Sequence, residues 1–247
     1  MSIDFIIGMK VGIGETPDEA SLAVLKQASQ LKEKVNDSDL PESVLQKTVA
    51  KHTQQDYSIA RYDGPEVEID PEIEEARERL SARVKESIDR LATIERKYGK
   101  DELAYTYLRD EVRTKEIDKD TGCLTPFGYQ FQIQTQESER IPEGMKRFYL
   151  MFDGNDMHYW NEKADYNDVT AHLHLMGRTL KESTRGKKRP EDKTRQDLVG
   201  RVTRTHGSAG DEFLVDIICK ESDIMKITTR IMKEVYQTQI DKYLSSD

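Results

Sequence analysis

The sequence predicts an α+β fold: an N-terminal strand and helices with a long helical hairpin, then antiparallel β-hairpins packed with helices. Three observations carry it. Residues 3–13 alternate apolar and polar side chains, the period of a strand with one buried face. Residues 71–98 repeat apolar side chains at spacings of three and four, the period of a helix. Beyond residue 118, strand-like runs and helical stripes are interleaved without the regular βαβ order of a doubly wound sheet. The change of character near 118 separates a mainly helical part, residues 1–117, from an α+β part, residues 118–247, which can still form one continuous domain.

The elements follow in order. Ile3, Phe5, Ile7, Met9, Val11 and Ile13 form the apolar face of the first strand, which Gly12 and Gly14 end. Thr16-Pro17-Asp18-Glu19 is a capping box with proline at the first helical position. The helix it starts runs to about Val35 and buries Leu22, Leu25, Ala28 and Leu31. A short helix follows from residue 38, with Val44, Leu45, Thr48 and Val49 inward. Residues 57–59 and 67–69 are short strands about the turn Asp63-Gly64-Pro65.

Asp70-Pro71 starts the strongest helix, with the stripe Ala76, Leu80, Val84, Ser87, Leu91, Ile94 and Tyr98. Glu72, Glu74 and Glu75 suit the positive end of its dipole, and Gly99 is a natural stop. A second helix over 101–116, with Leu103, Tyr107, Leu108 and Val112 apolar, completes a helical hairpin. After the turn-rich residues 118–128, Phe127, Tyr129, Phe131, Ile133 and Thr135 alternate with glutamines and read as a strand. Residues 146–153 would pair with it through Pro142 and Gly144.

Residues 157–160 add a short strand. Val169, Leu173, Met176 and Leu180 mark a helix over 165–183. Residues 198–205 and 212–220 form a hairpin around Gly207 and Gly210. The last helix starts at Ser222 or Asp223 and has two apolar stripes. Ile224, Ile227, Ile231 and Val235 form one; Met225, Met232, Tyr236, Ile240 and Tyr243 form the other. Two stripes imply contact with more than one surface.

Composition narrows the class. The chain is 36% hydrophobic and 34% charged, yet its apolar residues are periodic, so a folded protein with a heavily charged surface is expected. A net charge of −9 excludes wholesale coating of a polyanion and makes any nucleic-acid contact local. Cys123 and Cys219 form no C-x-x-C pair, which suits a reducing compartment. The opening MSIDFIIGMK lacks the basic start of a signal peptide, and no window reaches the roughly 20 apolar residues of a membrane span. The expectation is a soluble, cytoplasmic protein with no membrane partner, or one incorporated in a virion.

Opposite charges are segregated. Residues 184–204 carry Arg185, Lys187, Lys188, Arg189, Lys193, Arg195, Arg201 and Arg204 against Glu191, Asp192 and Asp197. Such an island attracts backbone phosphates or an acidic protein face. Glu66, Glu68, Asp70, Glu72, Glu74, Glu75 and Glu78, against Arg77 and Arg79, form an acidic counterpart that can pair with it between copies.

Catalytic patterns are fragmentary. Gly12-Ile13-Gly14 lies between strand and helix, where backbone N–H groups can cradle phosphate. Pro17 stands where the dinucleotide fingerprint needs glycine, so a tight connection is the better reading. Arg61-Tyr62-Asp63-Gly64 is similar to the Lys-x-Asp-Gly motif of nucleotidyl-transferring ligases. Their chemistry needs a lysine amine, which Arg61 cannot supply. Asp118-x-Asp120-x-Gly122 begins like a calcium loop, but Cys123 and Tyr129 occupy its required glycine and glutamate positions.

His172-Leu173-His174 is the sharpest metal signal. Two histidines at i and i+2 share a face on a strand and diverge on a helix. With Asp153 or Asp156, and His158 or His206, they could compose a zinc or iron set. His206-Gly207-Ser208 is similar to the His-x-Ser/Thr strands of two-histidine phosphoesterases, although His174 replaces the hydroxyl residue of the first motif.

The leading expectation is a non-catalytic structural or interaction protein in an oligomeric assembly, with a viral or phage assembly component fitting the profile. Glu66, Glu68, Glu72, Glu74 and Glu75, with Met225, Met232, Tyr236 and Tyr243, are its expected interface. No cofactor is expected. The alternatives are a nucleic-acid-associated accessory protein using residues 184–204, and a metal-dependent hydrolase around His172 and His174.

Overall fold

Strand-forming runs rich in Phe, Leu, Val and Ile meet in one five-stranded sheet, here described from a computed structural model. It describes residues 9–36, 58–65, 67–136, 141–154, 166–184, 197–201 and 212–244. The strands are β1 (Met9–Gly14), β2 (Ser58–Arg61), β3 (Lys146–Gly154), β4 (Leu198–Arg201) and β5 (Phe213–Cys219). Their order is β2-β1-β3-β5-β4. β1 and β2 are parallel and the other three pairs antiparallel, so the α+β sheet is mixed. Strands from both sides of residue 117 share it.

The helices are α1 (Pro17–Asn36), α2 (Pro71–Tyr98), α3 (Leu103–Glu116), α4 (Pro126–Gln136), α5 (Tyr166–Ser183) and α6 (Ile224–Leu244). α5 and α6 cover one face of the sheet. There Val11, Ile13, Phe148, Leu150, Phe152, Phe213, Val215 and Ile217 pack with Leu173, Met176, Leu180, Ile224 and Ile231. α1 and α4 cover the other face, around Ala20, Val24, Tyr129, Met151 and Leu214. A third core joins α2, α3 and α4 through Val84, Leu91, Leu108, Val112 and Phe131. Both faces of β1 and β5 are therefore buried.

The start signals act as read. Glu19 N–H donates to Thr16 Oγ1 at 3.2 Å, and Thr16 N–H returns a 3.3 Å bond to Glu19 Oε2. Asp70 Oδ1 accepts from Glu72 N–H at 2.8 Å. Gly99, at φ 87°, closes α2.

Three expectations are corrected. Residues 126–136 are a helix, not a strand, and β3 pairs with β1 and β5 instead. α4 lies between two layers, with Tyr129 and Ile133 on the sheet and Phe127 and Phe131 on the helical hairpin. Two opposed apolar faces on one helix imitate strand alternation. Residues 67–69 form no strand. On α1, Ala20, Ala23 and Val24 are buried, whereas Leu22 and Leu25 are exposed. α1 lies so close to β1 that a Cβ on Gly12 would stand 1.9 Å from the Ala20 carbonyl oxygen, leaving room only for small side chains. The expected elements at residues 38–49 and 157–160 lie outside the described residues.

Candidate functional site at one end of the central strands

The β3–β5 ladder ends with Phe152 opposite Phe213, both fully buried under α5 and α6. One residue further, that antiparallel register sets Asp153 beside Glu212. Strand alternation turns both toward the opposite face of the sheet. On the other flank of β3, Lys10 of β1 is the register partner of Asp153. Three adjacent strands thus align Lys10, Asp153 and Glu212 in one row.

Burial sharpens the row's electrostatics. Lys10 is 9% exposed and Glu212 8%, while Asp153 is half-buried. Adjacent strands lie about 4.8 Å apart, so the two carboxyl groups are near neighbours. Like charges placed so are unfavourable unless cationic groups lie against them. Lys10 stands across the β1–β3 ladder from Asp153. A hard cation accepts one oxygen from each of two such carboxylates.

The same end collects several chain connections. β3 and β4 finish there, and β1, β2 and β5 begin there. Residues 155–165 and 202–211 leave and enter from it. They carry Asn155, Asp156, His158, His206, Gly207, Gly210 and Asp211, all outside the described residues. β3 and β4 run parallel, both antiparallel to β5, so the chain between Gly154 and Leu198 must travel back along the sheet. α5 is the described element on that return.

The opposite end is held by surface ion pairs. Arg61 Nη2 meets Glu221 at 2.7 Å, and Lys146 Nζ meets Glu221 at 3.1 Å and Glu15 at 3.3 Å. Arg61, which stands where a ligase motif would place lysine, is one member of this cluster. Asp63 bonds Lys26 at 2.9 Å.

The sequence-nominated residues separate into distinct places. His172 faces the core at 3% exposure, and His174 is exposed, its Nδ1 2.9 Å from the Asp120 carbonyl oxygen. The α5 helix thus divides the pair rather than presenting two ligands together. Arg201 does not extend an exposed basic patch. It is 7% exposed and meets Asp118 at 3.0 Å and Asp120 at 3.8 Å. Burial pushes the Asp118 carboxyl up, but hydrogen bonds from Thr121 and Arg201 and the Arg201 charge outweigh it, holding the group below its ordinary value. This guanidinium occupies the acidic turn that resembled a calcium loop, and Thr121 and Cys123 of that turn are buried.

Met232, expected at an interface, is 1% exposed within the core. Met225 is exposed and Tyr236 half-buried, while the Tyr243 side chain is outside the described residues. Glu68, Glu72, Glu74 and Glu75 are exposed. Glu66, Arg185, Lys187, Lys188, Arg189, Lys193, Arg195 and Arg204 lie outside the described residues, as do His158 and His206.

Among the described residues, no three His, Cys, Asp or Glu side chains gather as a metal site. None of the described helices is long and apolar enough to cross a membrane. Lys10 and Glu212 escaped the sequence reading. Lys10 looks like a solvent-face residue, and Glu212 looks like the first residue of a hairpin strand. The available signal was that Asp153 ends one long apolar run and Glu212 begins another.

No protein-family model matches the chain, and no curated protein matches it. Among solved structures, it is similar to the crystal structure of diguanylate cyclase SiaD in complex with its activator SiaC from Pseudomonas aeruginosa. The identity is 18%, the match covers 88% of this chain and 70% of that one, and the TM-score is 0.37. A likeness at this level establishes neither a shared fold nor a shared activity.

Proposed function

We propose that the protein holds a divalent cation against Asp153 and Glu212 and, through that ion and Lys10, binds a phosphorylated ligand. The observation supporting this reading is the strand register that aligns one lysine and two carboxylates at the end of β1, β3 and β5. Magnesium typically takes one or two protein carboxylates and fills its other positions with water and ligand phosphates. Two carboxylates thus suffice where, among the described residues, no three-ligand protein cage gathers. A cation held there would polarise a phosphoryl oxygen, and the Lys10 ammonium group would offset part of the remaining phosphate charge. This reading departs from the leading expectation of a non-catalytic protein without a cofactor. It takes up the metal-dependent alternative, with Asp153 of the pair Asp153 or Asp156 as a donor, but moves its centre away from His172 and His174.

Thermal unfolding tests it, with Mg2+ alone, ATP or GTP alone, and each nucleotide with Mg2+. The expected result is a rise of about 3 °C or more only when metal and nucleotide are both present. Asp153→Asn would abolish the rise. No rise with either nucleotide, or an equal rise in the variant, would contradict the reading.

A second reading, a component of an oligomeric assembly, is favoured by a different observation. Leu103 is 80% exposed and Tyr107 75% exposed, one turn apart on α3, with Tyr98 nearby in the chain at 55%. Large apolar side chains so placed are characteristic of contact surfaces. The reading stands or falls with self-association of the purified chain.

A further inference from the structure

α2 separates its charges along its length. From Pro71 to Glu78 it carries Glu72, Glu74, Glu75 and Glu78 against Arg77, a net −3. From Arg90 to Lys100 the chain carries Arg90, Arg96, Lys97 and Lys100 against Glu95, a net +3. A helix dipole by itself favours acid first and base last. It does not require the middle of the outward face to balance its charge, yet Lys85 and Arg90 there offset Glu86 and Asp89 between the small side chains of Ala82 and Thr93. Ala82 and Thr93 are exposed opposite the buried Val84 and Leu91. Nor does it require apolar groups at both ends, yet Ile69 is 39% exposed before the helix and Leu103 80% exposed just beyond it.

We propose that the outward face of α2 is a homodimer interface on which a second copy of this chain lies antiparallel. This surface goes beyond the carboxylate site and gives the assembly reading, on which it rests, a specific partner and register. A two-fold axis between Lys85 and Glu86 sets each beside the other residue of the second copy. Glu75, which pairs with Arg79 of its own helix at 2.5 Å, then also meets Arg96, and Glu74 meets Lys97. Ala82 and Thr93 leave room for Asp89 and Glu78 of the second copy, and Ile69 reaches the Leu103 end of the second copy. An isologous contact needs this self-complementarity, and antiparallel order supplies it. The acidic residues are those the sequence singled out; their counterpart becomes the far end of the same helix rather than residues 184–204.

Charge swapping tests the pairing. Light scattering at low salt should give wild-type protein twice the 28.5 kDa chain mass, falling toward one chain mass as salt is raised. The triple variant Glu72→Lys, Glu74→Lys, Glu75→Lys should be monomeric, and so should Arg96→Glu, Lys97→Glu, Lys100→Glu. All six positions are exposed, and circular dichroism checks that each variant remains helical. An equimolar mixture of the two variants should regain the dimer mass, because each then presents the sign the other lacks. A wild-type monomer at low salt would overturn the proposal. So would a basic-end variant that still dimerises, or a mixture that remains monomeric. Because Asp153 and Glu212 are untouched, nucleotide binding can survive either result.

Discussion

Asp118 and Arg201 show how one buried pair can organise several segments. Asp118 Oδ2 accepts from Thr121 Oγ1 at 2.6 Å and from Arg201 Nη1 at 3.0 Å. The Asp118 N–H donates to the Cys123 carbonyl, and Arg201 N–H to that of Leu124. These bonds fasten the turn after α3 to edge strand β4. Arg201 keeps Asp120 at 3.8 Å, so Asp118→Asn removes the closer charge-assisted bond and should cost about 1.5 kcal/mol at neutral pH. The folded carboxyl titrates below the ordinary aspartate value of 3.8. Its contribution is therefore complete above that value and is lost as pH falls through the folded value. Denaturant titrations of wild type and variant should differ clearly at pH 7 and converge in acid; an equal gap at both pH values would contradict the assignment. Neither partner was legible as such in the sequence. Arg201 resembled one member of a basic island because its neighbours in sequence are basic, whereas a strand position decides its neighbours in space. Asp153 was legible as a possible ligand, but its companions required the strand pairing.

Helices announced by a cap were read correctly, and the one failure had the same announcement. Thr125-Pro126 repeats the pattern of Thr16-Pro17 and Asp70-Pro71, and Thr125 Oγ1 accepts from Gly128 N–H at 3.0 Å. The same hydroxyl reaches the Lys115 carbonyl of α3 at 2.5 Å, tying the two helices together. The sequence shows period-two alternation here because α4 is covered on two sides. Glycine marks the crossing. A Cβ on Gly128 would stand 2.1 Å from the Glu116 carbonyl oxygen, so α4 can lie against the end of α3 only without a side chain there. Thr125→Ala should lower stability by about 1 kcal/mol in denaturant unfolding, with Thr125→Ser restoring most of it. A neutral alanine variant would show that the cap is dispensable. The long stripe of α2 was legible because its one buried face meets α3 and α4, leaving a simple helical period. The inward face of α1 was not, because Gly12 selects small residues over leucines by distance alone.

At the scale of the whole molecule, the α+β class was legible from the mixture of periods, while the sheet order was not. β1 and β2 come from early sequence, yet β1 lies inside the sheet, paired with the central strand β3. No local pattern encodes that long-range choice. It has the largest functional consequence, because it brings Lys10 from near the N-terminus to Asp153 and Glu212. The sheet then has two chemically different ends. One is held by the Glu15, Arg61, Lys146 and Glu221 pairs; the other gathers the lysine, the two carboxylates and the connections on either side. α2 and α3 extend away from this arrangement on a separate core, which leaves their outer surface available for contact. The most direct test of the carboxylate site is titration of Mn2+ into the protein, with free metal read by electron paramagnetic resonance. The account predicts one site per chain in the wild type and its loss in both Asp153→Asn and Glu212→Gln, with folding retained. Binding unchanged in either variant, or no specific binding in the wild type, would contradict it.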